Sequence, residues 1–243
     1  MNPFRLSILL TACFASSLLA QEKPKEPAHS VRFICVEPAD GAENLILAEK
    51  TEKGWEARHR FSATRGFMGS PLALATRYAA LAIDPSPVST DGSRGRSKAV
   101  EPGVLVQPFT TFELPAAGSA SLILIPEAGS SKKYRTLVLE TADGGFGAGQ
   151  ILVYNLTKGA IGGKFGGKTL QLPSGLRSII TPGVDQPGDM AQITIGTKVG
   201  NGYKTFCDTR WPAKPDFRRY LLLLPKADGG ATTFVMPEFP PFH

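Results

Sequence analysis

From Val31 onward the chain is a succession of short β-branched, leucine-rich or aromatic runs, each closed by glycine, proline or a polar turn before it could complete a long helix. In the first half these runs fall at 31–37, 45–49, 55–61, 104–114, 121–125 and 134–140. In the second they fall at 150–155, 169–172, 177–181, 191–198, 203–211, 219–224 and 232–236. Short strands at this spacing predict an all-β protein of sandwich or barrel architecture. One segment is ambiguous: 71–83 is alanine-rich, with Leu72, Leu74, Tyr78 and Leu81, and reads as a helix or as alternating strand.

The second half resembles the first. Ser121-Leu-Ile-Leu-Ile-Pro126 lies over Tyr220-Leu-Leu-Leu-Leu-Pro225 at an offset of 99, and each run leads through a polar turn into another strand. Upstream, Thr111-Phe112 matches Thr205-Phe206, and Pro115-Ala116 matches Pro212-Ala213. A repeat this long does not suit a solenoid; it suits a duplicated sandwich. The expectation is two tandem antiparallel, immunoglobulin-like β-sandwich units over 31–143 and 148–243. A glycine-rich linker at 142–149 would join them, and a polar loop insertion at 84–103 would lengthen the first.

The N-terminus reads as an address rather than as part of the fold. Arg5 precedes an apolar stretch from Leu6 to Leu19, and Ala20 offers a small residue for cleavage before Gln21. Residues 1–20 are therefore expected to be a signal peptide, too short to span a bilayer, and 21–30 a charged, proline-containing lead-in. The destination would be the secreted or periplasmic fraction. The alternative is a lipoprotein acylated at Cys13, although few apolar residues precede that cysteine and the run continues past it. No later segment is apolar enough to cross a membrane as a helix.

Removing the signal leaves Cys35 and Cys207, an even count in a compartment where one disulfide could persist. Each sits in a strand-like apolar run, where a buried thiol is the simpler expectation. Neither has a cysteine or histidine at ligand spacing, so no metal site is expected.

Two segments carry possible chemistry. Gly162-Gly163-Lys164-Phe165-Gly166-Gly167-Lys168-Thr169 matches the P-loop pattern, with Gly162, Gly167, Lys168 and Thr169 at its defining positions. That mechanism needs a helix to begin at the lysine. The alternating Leu170 and Leu172 and the following Pro173 predict a glycine-turned hairpin instead. The other segment, 208–220, gathers Arg210, Trp211, Arg218, Arg219 and Tyr220 around a proline-bounded loop. Aromatic faces and guanidinium forks could engage an anionic glycan or a partner protein, or could simply close the end of a sandwich.

With three histidines, His29, His59 and His243, and no Gly-x-Ser-x-Gly elbow, hydrolysis by a serine or cysteine nucleophile is not expected. The sequence favours a non-enzymatic binding or structural module that needs no cofactor. Its expected partner is an envelope glycan or protein, not nucleic acid. The alternative is a secreted hydrolase whose carboxylates meet between the two units. Asn155-Leu156-Thr157 also matches a glycosylation sequon.

Overall fold

The computed structural model describes residues 29–66, 68–85, 98–116, 118–127, 133–140, 145–183, 189–213, 216–240 and 242. The expected signal peptide and nearly all of the lead-in lie outside them. Among the described residues there is no helix. The first half carries β1 (His29–Cys35), β2 (Asn44–Thr51), β3 (Gly54–Ser62), β4 (Leu72–Leu74), β5 (Tyr78–Ile83), β6 (Lys98–Ala99), β7 (Thr110–Glu113), β8 (Gly118–Pro126) and β9 (Tyr134–Glu140). The second carries β10 (Ile151–Asn155), β11 (Ile161–Phe165), β12 (Lys168–Leu172), β13 (Arg177–Ile180), β14 (Met190–Val199), β15 (Gly202–Pro212), β16 (Arg218–Pro225) and β17 (Ala231–Glu238). The ambiguous segment 71–83 resolves into β4 and β5, and β1 takes in His29 and Ser30 from the expected lead-in.

Four sheets result, ordered β4-β1-β8-β9 and β6-β3-β2-β5-β7 in the first half, and β13-β10-β16-β17 and β12-β11-β14-β15 in the second. With β10 set on β1 and β16 on β8, the strand orders of the two halves coincide. Only β6, from within the polar stretch 84–103, has no counterpart.

Two details of the expected sandwich are corrected. Pairing is not antiparallel throughout, because β1 runs parallel to β8 and β10 parallel to β16. The order also differs from that of an immunoglobulin domain, whose first strand lies beside its second. Here the first strand lies between the fourth and the eighth, and in the second half β10 is likewise flanked by β13 and β16.

Side-chain alternation explains how the sheets pack. Val31, Phe33 and Cys35 of β1 face one way, into a core shared with Leu45 and Leu47 of β2 and Leu81 of β5. Ile34 faces the other way, into a core shared with Leu152, Tyr220 and Leu222 of the second half. A third core joins Val153 and Leu221 to Phe165, Ile193 and Ile195. The two middle sheets are thus covered on both faces, so β8 and β16 read as continuous apolar runs rather than alternating ones. At roughly 1.5–3 kcal/mol for each fully buried large aliphatic side chain, the shared middle core binds the halves together strongly. Phe146, within the expected linker, joins this core and meets Tyr220 edge-on at 5.1 Å.

Candidate functional site

The P-loop-like segment is a hairpin. Phe165 pairs with Lys168 across a turn made by Gly166 and Gly167, with φ of 53° and 85°. A strand begins at Lys168, where the P-loop mechanism would need a helix. Gly162 lies beneath the ring of Tyr203, in the space a Cβ would fill.

The segment 208–220 is divided among three environments by strand alternation. Arg210 is exposed on β15 and donates to Gln192 Oε1 at 3.0 Å. Arg219 turns inward and is 6% exposed. Its guanidinium lies 4.2 Å from the Phe217 ring and 5.8 Å from the Trp211 ring, and donates to the Pro212 carbonyl at 2.8 Å. Burial lowers its pKa, and nearby Asp216 opposes the shift.

Arg218 and Tyr220 face the first half and meet Glu238. The Glu238 carboxylate accepts from Arg218 Nε at 2.5 Å, from the Tyr220 hydroxyl at 2.8 Å and from Arg32 Nη1 of β1 at 2.9 Å. Arg218 also donates to the Phe146 carbonyl at 2.6 Å and lies between the rings of Phe146 and Phe242. Burial raises the Tyr220 pKa, and the Glu238 charge adds to the rise. Arg218 and Arg219, two of the candidate binding residues, are thus buried, and Arg218 closes the joint between halves instead of offering a site.

Cys35 and Cys207 do not form the disulfide that an even count allows; both thiols are free. They belong to cores in different halves. Burial pushes the Cys35 thiol up to about 12. It raises Cys207 as well, helped by the charge of Asp208. The sequon is also internal: Asn155 is fully buried, donating to the Gly159 and Leu172 carbonyls and accepting from Thr157.

The recess best placed to hold a ligand lies where the halves meet. It is a groove of about 690 Å³ lined by Arg77, Glu113, Leu114, Pro115, Ala116, Val138, Leu139 and Glu140 from the first half, and by Tyr154, Gly175, Leu176 and Arg177 from the second. Arg77 Nη2 stands 2.7 Å from Glu113 Oε1, and both side chains are nearly half exposed. Tyr154 and Arg177 are directly paired across β10 and β13. Gly175, at φ 76°, makes the turn that carries the 54% exposed Leu176 into the lining. None of these residues was a site candidate in the sequence, because they come from well-separated segments with no shared spacing. Among the described residues no three histidine, cysteine, aspartate or glutamate side chains are grouped to hold a metal.

No protein-family model matches this chain, and no curated protein matches it either.

Proposed function

We propose that the chain is an exported, non-enzymatic binding module, built from two copies of one β-sandwich unit, which holds a segment of a partner protein in the groove between them. The coincident strand orders and the similarity of Ser121–Pro126 to Tyr220–Pro225 support the duplication. The groove carries the binding assignment. Two arginines and two glutamates surround Leu114, Val138, Tyr154 and Leu176, a mixture suited to a polypeptide, which offers both signs of charge and apolar side chains. The groove is bordered by β9 and β13, edge strands of their sheets, and edges of this kind accept an added strand.

Peptides selected from a display library on the purified mature protein should bind the parent. They should lose at least tenfold in affinity to Arg77→Glu/Arg177→Glu. Retained affinity in that variant would overturn the assignment.

Glu113 and Glu140 line the same groove, and this favours a second reading, a hydrolase using that pair. It requires turnover of a polysaccharide or peptide that disappears in both Glu113→Gln and Glu140→Gln. Export itself is tested by N-terminal sequencing: a mature chain starting at Gln21 supports signal cleavage, and an acylated Cys13 supports the lipoprotein route.

A further inference from the structure

The two outer sheets of the stack are finished differently. In the first half, Ile46, Ala57 and Ala82 on the outer face lie under Val100 and Val106. The covering segment is held by Val100 N–H to the Arg58 carbonyl at 2.9 Å, Ala57 N–H to the Val104 carbonyl at 2.8 Å and Val106 N–H to the Trp55 carbonyl at 2.9 Å. The second half lacks this insertion, and the described residues place nothing over the outer face of β12-β11-β14-β15.

That face has a consistent chemistry. One cross-strand row runs Thr169, Lys164, Thr194, Asp208, each residue directly opposite the next. Paired residues share a face, and Phe165, Ile193 and Ile195 point into the core, so this row points outward. Gln192 and Arg210 form the next pair. Asp208 accepts from Gln192 and Thr194, so the single acid of the row is already engaged. Lys198 lies opposite Tyr203, a residue 44% exposed whose ring rests on Gly162. The net charge is positive, from Lys164, Lys198 and Arg210 against Asp208.

We propose that this outer face binds an acidic polysaccharide, a polymer bearing carboxylates on its sugars. Four strands about 4.8 Å apart make a strip roughly 14 Å wide, broad enough for an extended sugar chain. Threonine hydroxyls and glutamine amides match sugar hydroxyls, the three cations match the carboxylates, and the Tyr203 ring offers a surface on which a pyranose can lie. The row of polar residues contains no cluster of apolar side chains of the kind that inserts into a lipid surface. This surface is separate from the groove, and the proposal does not depend on what the groove binds.

The test measures binding of the mature protein to polygalacturonate, with neutral dextran as control, while salt is raised from about 50 mM, where screening is weak. The expected result is binding to polygalacturonate alone, weakened by salt, and at least tenfold weaker in Lys164→Glu/Arg210→Glu. Lys53→Glu/Lys226→Glu makes the same charge change elsewhere and should cost less than twofold. Tyr203→Ala, which leaves the charge untouched, should also weaken binding, so the proposal remains testable if the charge-reversed variant does not fold. Absence of binding at low salt, equal binding to dextran, equal losses in the two double variants, or full affinity in Tyr203→Ala would each overturn it.

Discussion

Replacing Glu238 with glutamine tests whether the joint between the halves is held electrostatically. The parent carboxylate is 4% exposed. It receives Arg218 at 2.5 Å and Arg32 at 2.9 Å, and their side chains are 2% and 13% exposed. The glutamine keeps the shape but removes the negative charge that both guanidiniums face. Removing one partner of a buried pair costs about 3–5 kcal/mol. At roughly 2–4 °C per kcal/mol for a chain of this size, the melting temperature should fall by roughly 6–20 °C. Urea titrations followed by circular dichroism would give the free energy directly. The internal comparison is Glu113→Gln, which breaks the Arg77 pair whose side chains are 43% and 49% exposed; exposed pairs of this kind contribute below about 1 kcal/mol. Tyr220→Phe, which removes one donor to Glu238, should cost about 1–2 kcal/mol and should not add fully to Glu238→Gln. A loss within about 1 kcal/mol for Glu238→Gln would refute the reasoning, because the two buried cations would then have been tolerated without their anion.

Other outcomes follow from the same geometry. Alkylation under native conditions followed by intact mass should label neither Cys35 nor Cys207 appreciably, whereas denatured mature protein should take two labels without reduction; a bridged mass would contradict the separate cores. The Cys35 pKa is raised in the fold from 9.0 to about 12, so the folded state holds the proton more tightly. That contribution is complete below about pH 9 and is lost as pH rises through 12. Stability measured between those limits should fall with pH by at most about 1.4 kcal/mol per unit from this group, with a shallower slope in Cys35→Ala. Gly166→Ala should destabilise by more than about 2 kcal/mol, since the residue has φ 53° and its Cβ would overlap the Gly183 carbonyl. Gly167→Ala, with open space around it, should cost only about 1 kcal/mol. Lys168→Ala should leave the melting temperature unchanged, and ATP with magnesium should not shift it.

The strands were legible because strand-forming runs and turn residues are local signals. Ser121–Pro126 and Tyr220–Pro225 announce themselves by composition alone. What they withheld is that both faces of each strand are covered, which follows from stacking and not from period. The ambiguity at 71–83 has the same cause. Ala79 and Leu81 face one core while Ala82 faces the covered outer side, and a strand pressed from both sides takes small residues that imitate helix composition. Arg218 was a binding candidate because a charged residue looks available to a ligand until its anion is known. That anion, Glu238, sits on the neighbouring strand, and Arg32 completes the arrangement from the other half of the chain. The groove was illegible for a similar reason, since only the meeting of the halves brings Arg77 near Arg177.

The parallel pairing of β1 with β8, and of β10 with β16, also sets an order of assembly. A hairpin can close as soon as its second strand exists, but β1 has no parallel neighbour until six intervening strands have been made. Contacts so distant in sequence are slow to form. The opening strand of each half therefore waits for its parallel partner until that half is almost complete, and a truncation that removes β8 or β16 would leave it with no neighbour on that side. A chain whose pairing completes so late also remains threadable for longer, which fits the proposed export.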